Sequence, residues 1–392
     1  LDPLMARVLV LDDESSRIAV VTLDLGRTFA ETLLDGMRDA VRRSYRVDQV
    51  FFIASHTHSG PVIEDGYPEG KVPAWETRAQ ERITAAIGDA CNRLAPARIG
   101  TGVGEVFIGH NRRLLNPDGT VKMFWRNVTR VQTSPVDARV GVIRVDDAVG
   151  RAMTILVNYS CHPVVLGPDN LRYSADFPGA MAHMVSEKME GNPICFFLQG
   201  APGDINPFYD KTPLQEAAVK RMKQTGEQLG VEVCRVTEKI VTTAPENARL
   251  KFRLEKMQFS VRWDLEVLLQ HLKRFSPAAA ERYRRRLSKP LSLPVMTLLI
   301  NDSISFMGMP GEPFISFAID FRKRSPALES FFVGYANGYY AYFPPIAAAV
   351  TGGYGANTIT TWTEVGAGET MVDHSIIALY EMLGMLKSSP SP

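Results

Sequence analysis

The chain has 392 residues, 45% of them hydrophobic and 22% charged, an ordinary globular balance that can bury a large core. A net charge of +1, with no basic run interleaved with aromatics, gives no electrostatic reason to expect nucleic acid or an anionic membrane as partner. No apolar run is long enough to span a bilayer, and Cys91, Cys161, Cys195 and Cys234 lack CxxC spacing and read as buried thiols.

In chain order, Arg7 to Leu11 and Arg17 to Leu23 are rich in Val, Ile and Leu and flank a turn-like DDESS stretch, which predicts a hairpin. Thr28 to Tyr45 carries Leu33, Leu34, Met37 and Val41 at helical spacing. Val50 to Ile53 reads as a buried strand running into Ser55-His56-Thr57-His58 and stopped by Gly60-Pro61. If that segment stays extended, both imidazoles face the same way. A bland role, capping a strand end, fits an isolated HxH as well. Ala74 to Leu94 predicts a second helix, and Ala97 to Asn111 a strand, turn and loop that end beside Arg112. Asn116-Pro117-Asp118-Gly119 is a turn.

Gly141 to Val145 and Met153 to Tyr159 are strands, and the second ends in Ser160-Cys161-His162-Pro163. A helix is expected to start near Asp176, with Asp176 as N-cap. Ile194 to Leu198 is a core strand entering the loop Gly203-Asp204-Ile205-Asn206-Pro207. Three core strands thus deliver polar groups at the same kind of end, where open α/β sheets bind ligands.

Pro213 to Ile240 reads as helical with a break near Gly230, and Trp263 to Leu287 as a helical pair whose arginines, Arg282 to Arg286, form a solvated face. Asp302 to Met307 is a strand, and Pro313 fits the first turn of a helix over Phe314 to Lys323. That places Glu312 at the helix start, where a carboxylate can simply meet the helix dipole. Phe331 to Tyr335 is a strand, followed by a Pro/Gly-rich segment carrying Tyr339, Tyr340, Tyr342 and Tyr354, whose tyrosines fit surface packing as readily as chemistry. The end of the chain, 387–392, is expected to be a disordered tail. The chain begins at Leu1 without a methionine, which leaves a removed leader, and with it a secreted or periplasmic location, open.

SHTHSGP, NYSCHP, the GDINP loop, the Gly311-Glu312 element and the tyrosine-rich segment occur in the order found in neutral ceramidases. The sequence resembles that family over nearly its whole length. The resemblance implies an α/β catalytic domain, a large mixed β-sheet flanked by helices, occupying 1–386 as one unit. It implies Zn2+ held by His56, His162, Glu312 and Tyr342. Tyr354, twelve residues beyond Tyr342, matches the tyrosine that meets the developing oxyanion. His58 matches the histidine near substrate and metal, and Arg112 a substrate-binding arginine.

Imidazole and carboxylate are ordinary zinc ligands, and an open position beside them makes a catalytic site. Phenolate is less usual, because an unperturbed tyrosine ionises near about 10, but a metal can deprotonate its own ligand. Two anionic ligands would leave metal-held water less acidic, which makes a nearby base useful, with His58 or Asp204 as candidates. The sequence departs from the family at Asn206, where ceramidases carry the serine proposed as nucleophile. An amide is no nucleophile, but it can hydrogen-bond substrate. The chain also stops at Pro392, short of the C-terminal immunoglobulin-like domain of larger ceramidases.

The expectation is therefore a zinc-dependent hydrolase that cleaves an amide or ester of a small-molecule or lipid-like acyl substrate with metal-activated water. A zinc-binding relative without catalysis predicts bound metal and no turnover. A structural protein whose histidines only cap strands predicts no stoichiometric metal.

Overall fold

The computed structural model describes residues 1–64, 67, 71–274 and 276–386. The predicted tail over 387–392 lies outside them. The first third holds β1 (Ala6–Asp12), β2 (Arg17–Leu23), α1 (Glu31–Tyr45), β3 (Gln49–Ala54) and α2 (Ala74–Asn92). Next come β4 (Ala97–Glu105), β5 (Gly109–Asn111), β6 (Arg113–Leu115), β7 (Val121–Met123), β8 (Arg139–Asp147), β9 (Ala152–Tyr159), α3 (Asp176–Lys188), β10 (Ile194–Gln199), β11 (Ile205–Pro207) and α4 (Ala218–Thr237). Then follow β12 (Leu250–Phe259), α5 (Leu265–Lys273), α6 (Pro277–Leu287), β13 (Leu291–Ile300), β14 (Ile304–Gly308) and β15 (Glu312–Pro313). The chain closes with α7 (Ile315–Arg324), β16 (Glu329–Val333), β17 (Tyr342–Phe343), α8 (Ile346–Thr351) and α9 (Ala367–Met382).

The fold is of the expected mixed α/β class, with its strands shared among several sheets. The larger ones run β1-β2-β3, β10-β9-β8-β4 and β12-β13-β14-β16. The predicted hairpin is the antiparallel β1–β2 pair, while β2–β3 and β9–β10 are parallel.

Strand periodicity explains the layering. Ile18, Val20, Phe51, Ile53, Leu156, Phe196 and Leu198 face one way and pack on Met296, Leu298, Phe306 and Phe331 of the third sheet. Their chain neighbours Val21, Val50 and Phe52 point the other way, against Leu34, Met37 and Val41 of α1. Helices therefore cover the outer faces of two apposed sheet layers. Burying each such side chain contributes about 1.5–3 kcal/mol, so both faces of these strands are fixed in register.

Several local expectations change. α4 runs through Gly230 without a break, because the missing side chain admits Met184 of α3, whose Sδ lies 2.8 Å from where a Cβ would stand. Asp176 is the first residue of α3 rather than its N-cap, and its carboxylate accepts N–H bonds from Leu166 and Phe177 instead. Glu312 precedes α7 and sits in the short parallel bridge β15–β17, so it is not a helix-dipole partner. The local sequence signals do not mark out β12, β13 or α9.

Candidate metal centre and catalytic site

Gln199, buried at the end of β10, ties three strand ends together. Its Nε2 donates to Ser55 O at 2.9 Å and to Cys161 O at 3.0 Å, the carbonyls just before the two histidine turns. The loops beyond are also joined, since His58 N–H donates to Pro163 O and Thr57 Oγ1 to Ser174 O. Convergence at strand ends is thus enforced by hydrogen bonds.

His56 adopts the left-handed conformation, with φ 69°, which costs a non-glycine residue on the order of 1 kcal/mol and needs surrounding structure to hold it. The HxH segment is therefore not extended. Its two rings meet through a turn, with Nε2 to Nε2 at 3.1 Å. His56 Nδ1 lies 2.5 Å from Gly26 O, and His162 Nδ1 lies 3.0 Å from Ile205 O. A carbonyl only accepts, so both Nδ1 atoms carry the proton and both Nε2 atoms present lone pairs.

Those lone pairs point at Glu312. Its Oε2 is 3.2 Å from His162 Nε2 and 3.7 Å from His56 Nε2. The ligand atoms of His56, His58 and His162 lie within 4.8 Å of one another. The β15–β17 register sets Glu312 opposite Tyr342, so residues distant in sequence arrive side by side. Tyr339 donates to Glu312 Oε1 at 2.7 Å, and Tyr335 stacks on His56 at 4.1 Å between centroids.

This donor set fits a divalent cation. Two imidazole lone pairs converge on one carboxylate oxygen, an arrangement that a cation relieves. The titration shifts agree. Burial, opposed by the Glu312 charge, pushes His56 down to about 4, so its ring is neutral at pH 7. Burial alone would raise Glu312, but the neighbouring histidines override it and hold the carboxyl well below the usual range. Burial and Glu312 keep the Tyr342 phenol protonated, so a phenolate there requires the cation's charge. His58 has one edge in solvent, yet the protein atoms around it and the other two imidazoles hold it well below the ordinary histidine value.

The opposite wall is organised by Arg112. Its Nη1 donates to Asn206 Oδ1 at 3.1 Å, and its Nη2 to Gly203 O at 2.6 Å and Tyr342 OH at 3.1 Å. The guanidinium also lies over the rings of Trp125, Tyr342 and Tyr354, at 5.1, 5.6 and 5.3 Å. Its buried Nε–H finds no acceptor among the described residues. Tyr354 packs edge-on against Tyr342 at 5.4 Å.

Asp204 does something other than the proton chemistry expected of it. Its Oδ1 accepts Ile315 N–H at the start of α7, and its Oδ2 accepts Asn111 Nδ2, both at 2.8 Å. Both oxygens are thereby committed to structure. The structure brings His56, His58, His162, Glu312, Tyr342, Arg112, Asn206 and Tyr354 into one neighbourhood. Sequence reasoning missed Gln199, Trp125, Tyr335 and the role of Tyr339. Tyr339 stands three residues before Tyr342, and that spacing within the tyrosine run was the one available signal.

Residues 3–228 match the family described as neutral/alkaline non-lysosomal ceramidase, N-terminal. The chain belongs to that family. The match includes His56, His58, Arg112, His162, Asp204 and Asn206; Glu312, Tyr342 and Tyr354 lie beyond it. Neutral ceramidase A of Dictyostelium discoideum is 25% identical over 221 residues, which is 50% of this chain and 30% of that protein. Among solved structures, the neutral ceramidase from Pseudomonas aeruginosa aligns over 99% of this chain and 70% of its own, at 17% identity and a TM-score of 0.76. A ceramidase complexed with C2 aligns over 99% and 71%, at 18% identity and a TM-score of 0.73. At these identities the structural likeness speaks for the ceramidase fold. Among the described residues, no helix is long and apolar enough to cross a membrane.

Proposed function

We propose that this chain is a zinc-dependent hydrolase of amide or ester bonds, with residues 1–386 acting as one catalytic domain and the metal held by His56, His162, Glu312 and Tyr342. The observation that carries the reading is the convergence of the His56 and His162 Nε2 lone pairs on one Glu312 carboxylate oxygen. When bound, the metal polarises the scissile carbonyl and acidifies water.

The chain's own residues supply the rest. His58 stands 3.1 Å from His56 Nε2, with one edge in solvent, and as a neutral imidazole takes and returns the proton. Tyr354 donates to the carbonyl oxygen as charge builds on it. Arg112 holds Asn206, Tyr342 and Tyr354 in place and offers Nε–H to substrate. Asn206 positions substrate by hydrogen bonding, so no acyl-enzyme forms on the 203–207 loop. The substrate class is a small or lipid-like acyl compound.

The replacement of a serine by Asn206 is also what favours a metal-binding relative without turnover. Metal analysis of the purified protein, followed by a mixed panel of N-acyl and ester substrates, separates the two. Stoichiometric zinc with turnover, and no acyl adduct by mass spectrometry, supports the hydrolase. Metal without turnover on any member of the panel sinks it.

A further inference from the structure

Beside the metal centre lies a cavity of about 490 Å³ lined by α6, by the loop that follows His58 and by the tyrosine segment. Its size is that of a small-molecule site. Tyr339, whose hydroxyl bonds Glu312, forms part of its wall, as does Ala341, whose carbonyl receives the Glu312 N–H. The cavity therefore shares a wall with the metal ligands. Among the described residues lining it are four arginines, Arg27, Arg282, Arg285 and Arg286, and a single carboxylate, Glu64.

We propose that this cavity is a subsite for a carboxylate carried by the substrate, so that the bond cleaved belongs to an acylated acid rather than to a neutral acylated amine or alcohol. The proposal takes from the hydrolase reading only the bond that is cut.

Of the arginines expected on a solvated face, Arg282 and Arg285 do keep about half of their side chains in solvent at the cavity mouth, at 51% and 55% exposure, whereas Arg286 is turned inward and held. Arg286 lies over the rings of Trp362 at 4.4 Å and Tyr340 at 5.1 Å, and donates to Tyr339 O. Arg27 lies over Tyr339 at 5.2 Å. Stacked guanidiniums are preorganised, and their planar fork matches a carboxylate. Glu64 shows that fit within the cavity, with its Oε1 2.6 Å from Arg282 Nη1. Burial and the nearby Arg27 charge push Arg286 down to about 9. Trp362 and Tyr283 supply flat apolar walls for the carbon skeleton next to the acid.

The test uses the purified full chain and two ligands that cannot be hydrolysed, 4-phenylbutyrate and its neutral counterpart 4-phenylbutanol, with binding read by calorimetry. The acid should bind about tenfold more tightly or better, the preference expected for a charge-assisted contact. In the Arg282→Gln/Arg285→Gln double variant the preference should fall below about threefold at unchanged metal content and unchanged circular dichroism. Equal affinities in the wild type overturn the proposal. So does a double variant that keeps the full preference, because the acid would then be sitting on the metal. Inorganic phosphate displacing the acid at lower concentration than glutarate does overturns the carboxylate assignment. Preference for the acid without turnover on any amide or ester removes the hydrolase reading and leaves the subsite standing.

Discussion

The two walls of the site are built on different principles. On one, His56, His162 and Glu312 are fixed by backbone. Gly26 O and Ile205 O hold the two Nδ1 atoms, and a strand bridge sets Glu312 opposite Tyr342. On the other, Arg112, Trp125, Tyr342 and Tyr354 hold one another through side-chain contacts and ring stacking. Tyr354 is flanked by Gly353 and Gly355, at φ 89° and 77°, a backbone that other residues rarely adopt. A backbone-held wall suits a partner of fixed size, such as an ion. A wall of stacked side chains can adjust to a substrate.

The largest effect should follow damage to the fixed wall. On the proposed ligand set His162→Ala removes a ligand outright, and even loss of a residue that only orients a ligand costs about 10–100-fold in metal affinity or activity. We expect turnover to fall by more than about a hundredfold, together with loss of bound zinc measured by elemental analysis. Full zinc occupancy in this variant would break the comparison at its root. On the adaptable wall the pattern should invert. Tyr354→Phe removes only a hydroxyl, and an oxyanion donor is worth roughly 2.7–4 kcal/mol. Turnover should drop about a hundredfold, with zinc content and melting temperature unchanged. Wild-type turnover on a confirmed substrate would leave Tyr354 a packing residue.

The fixed wall also carries a stability signature. Asp176 accepts Leu166 N–H at 3.0 Å, anchoring the loop that leads away from His162. Burial outweighs its backbone hydrogen bonds and raises it from 3.8 to about 6. A raised folded value means that the native state holds the proton more tightly. Its stability contribution is complete below the unfolded value and is lost as pH rises through about 6. Asp176→Asn cannot ionise. From pH 4 to pH 7 the variant should therefore gain on the wild type by about 2 kcal/mol in denaturant unfolding. A pH-independent difference would show that the carboxyl is not desolvated.

Much of the fixed wall was legible in the sequence because strand-end chemistry is local. An apolar run followed by histidine and a proline break marks a strand end, and it did so before His56 and His162. Glu312 and Tyr342 could be paired only through the family resemblance, since a two-residue bridge leaves no periodic trace. The adaptable wall and the cavity were less legible for a physical reason. Whether Arg286, within an otherwise solvated run, faces water or a cavity depends on where Trp362 and Tyr340 come to rest, and those positions are set by tertiary packing. Asp204 misled for the same reason, as its partner Ile315 N–H lies across the fold. The extended reading of the HxH pair failed because alternation stops where a strand does, and His56 is already in the turn.

Tyr339 gives the finest test of the difference between the walls. It belongs by sequence to the aromatic segment of the adaptable wall, yet its hydroxyl donates to Glu312 Oε1 at 2.7 Å, and its ring stacks at 6.0 Å on Tyr335, which in turn stacks on His56. Its hydroxyl thus fixes the proposed metal ligand Glu312, while its ring is shared with the cavity. Residues that orient a ligand typically cost at least about tenfold when lost. Tyr339→Phe keeps the stacking and removes the hydrogen bond. Zinc affinity, measured by competition with a chelator, should fall about tenfold, while kcat at saturating zinc stays within about threefold of wild type. If kcat falls as far as it does in Tyr354→Phe while zinc affinity holds, Tyr339 works on the substrate, and the division between a backbone-fixed and a side-chain-built wall is drawn in the wrong place.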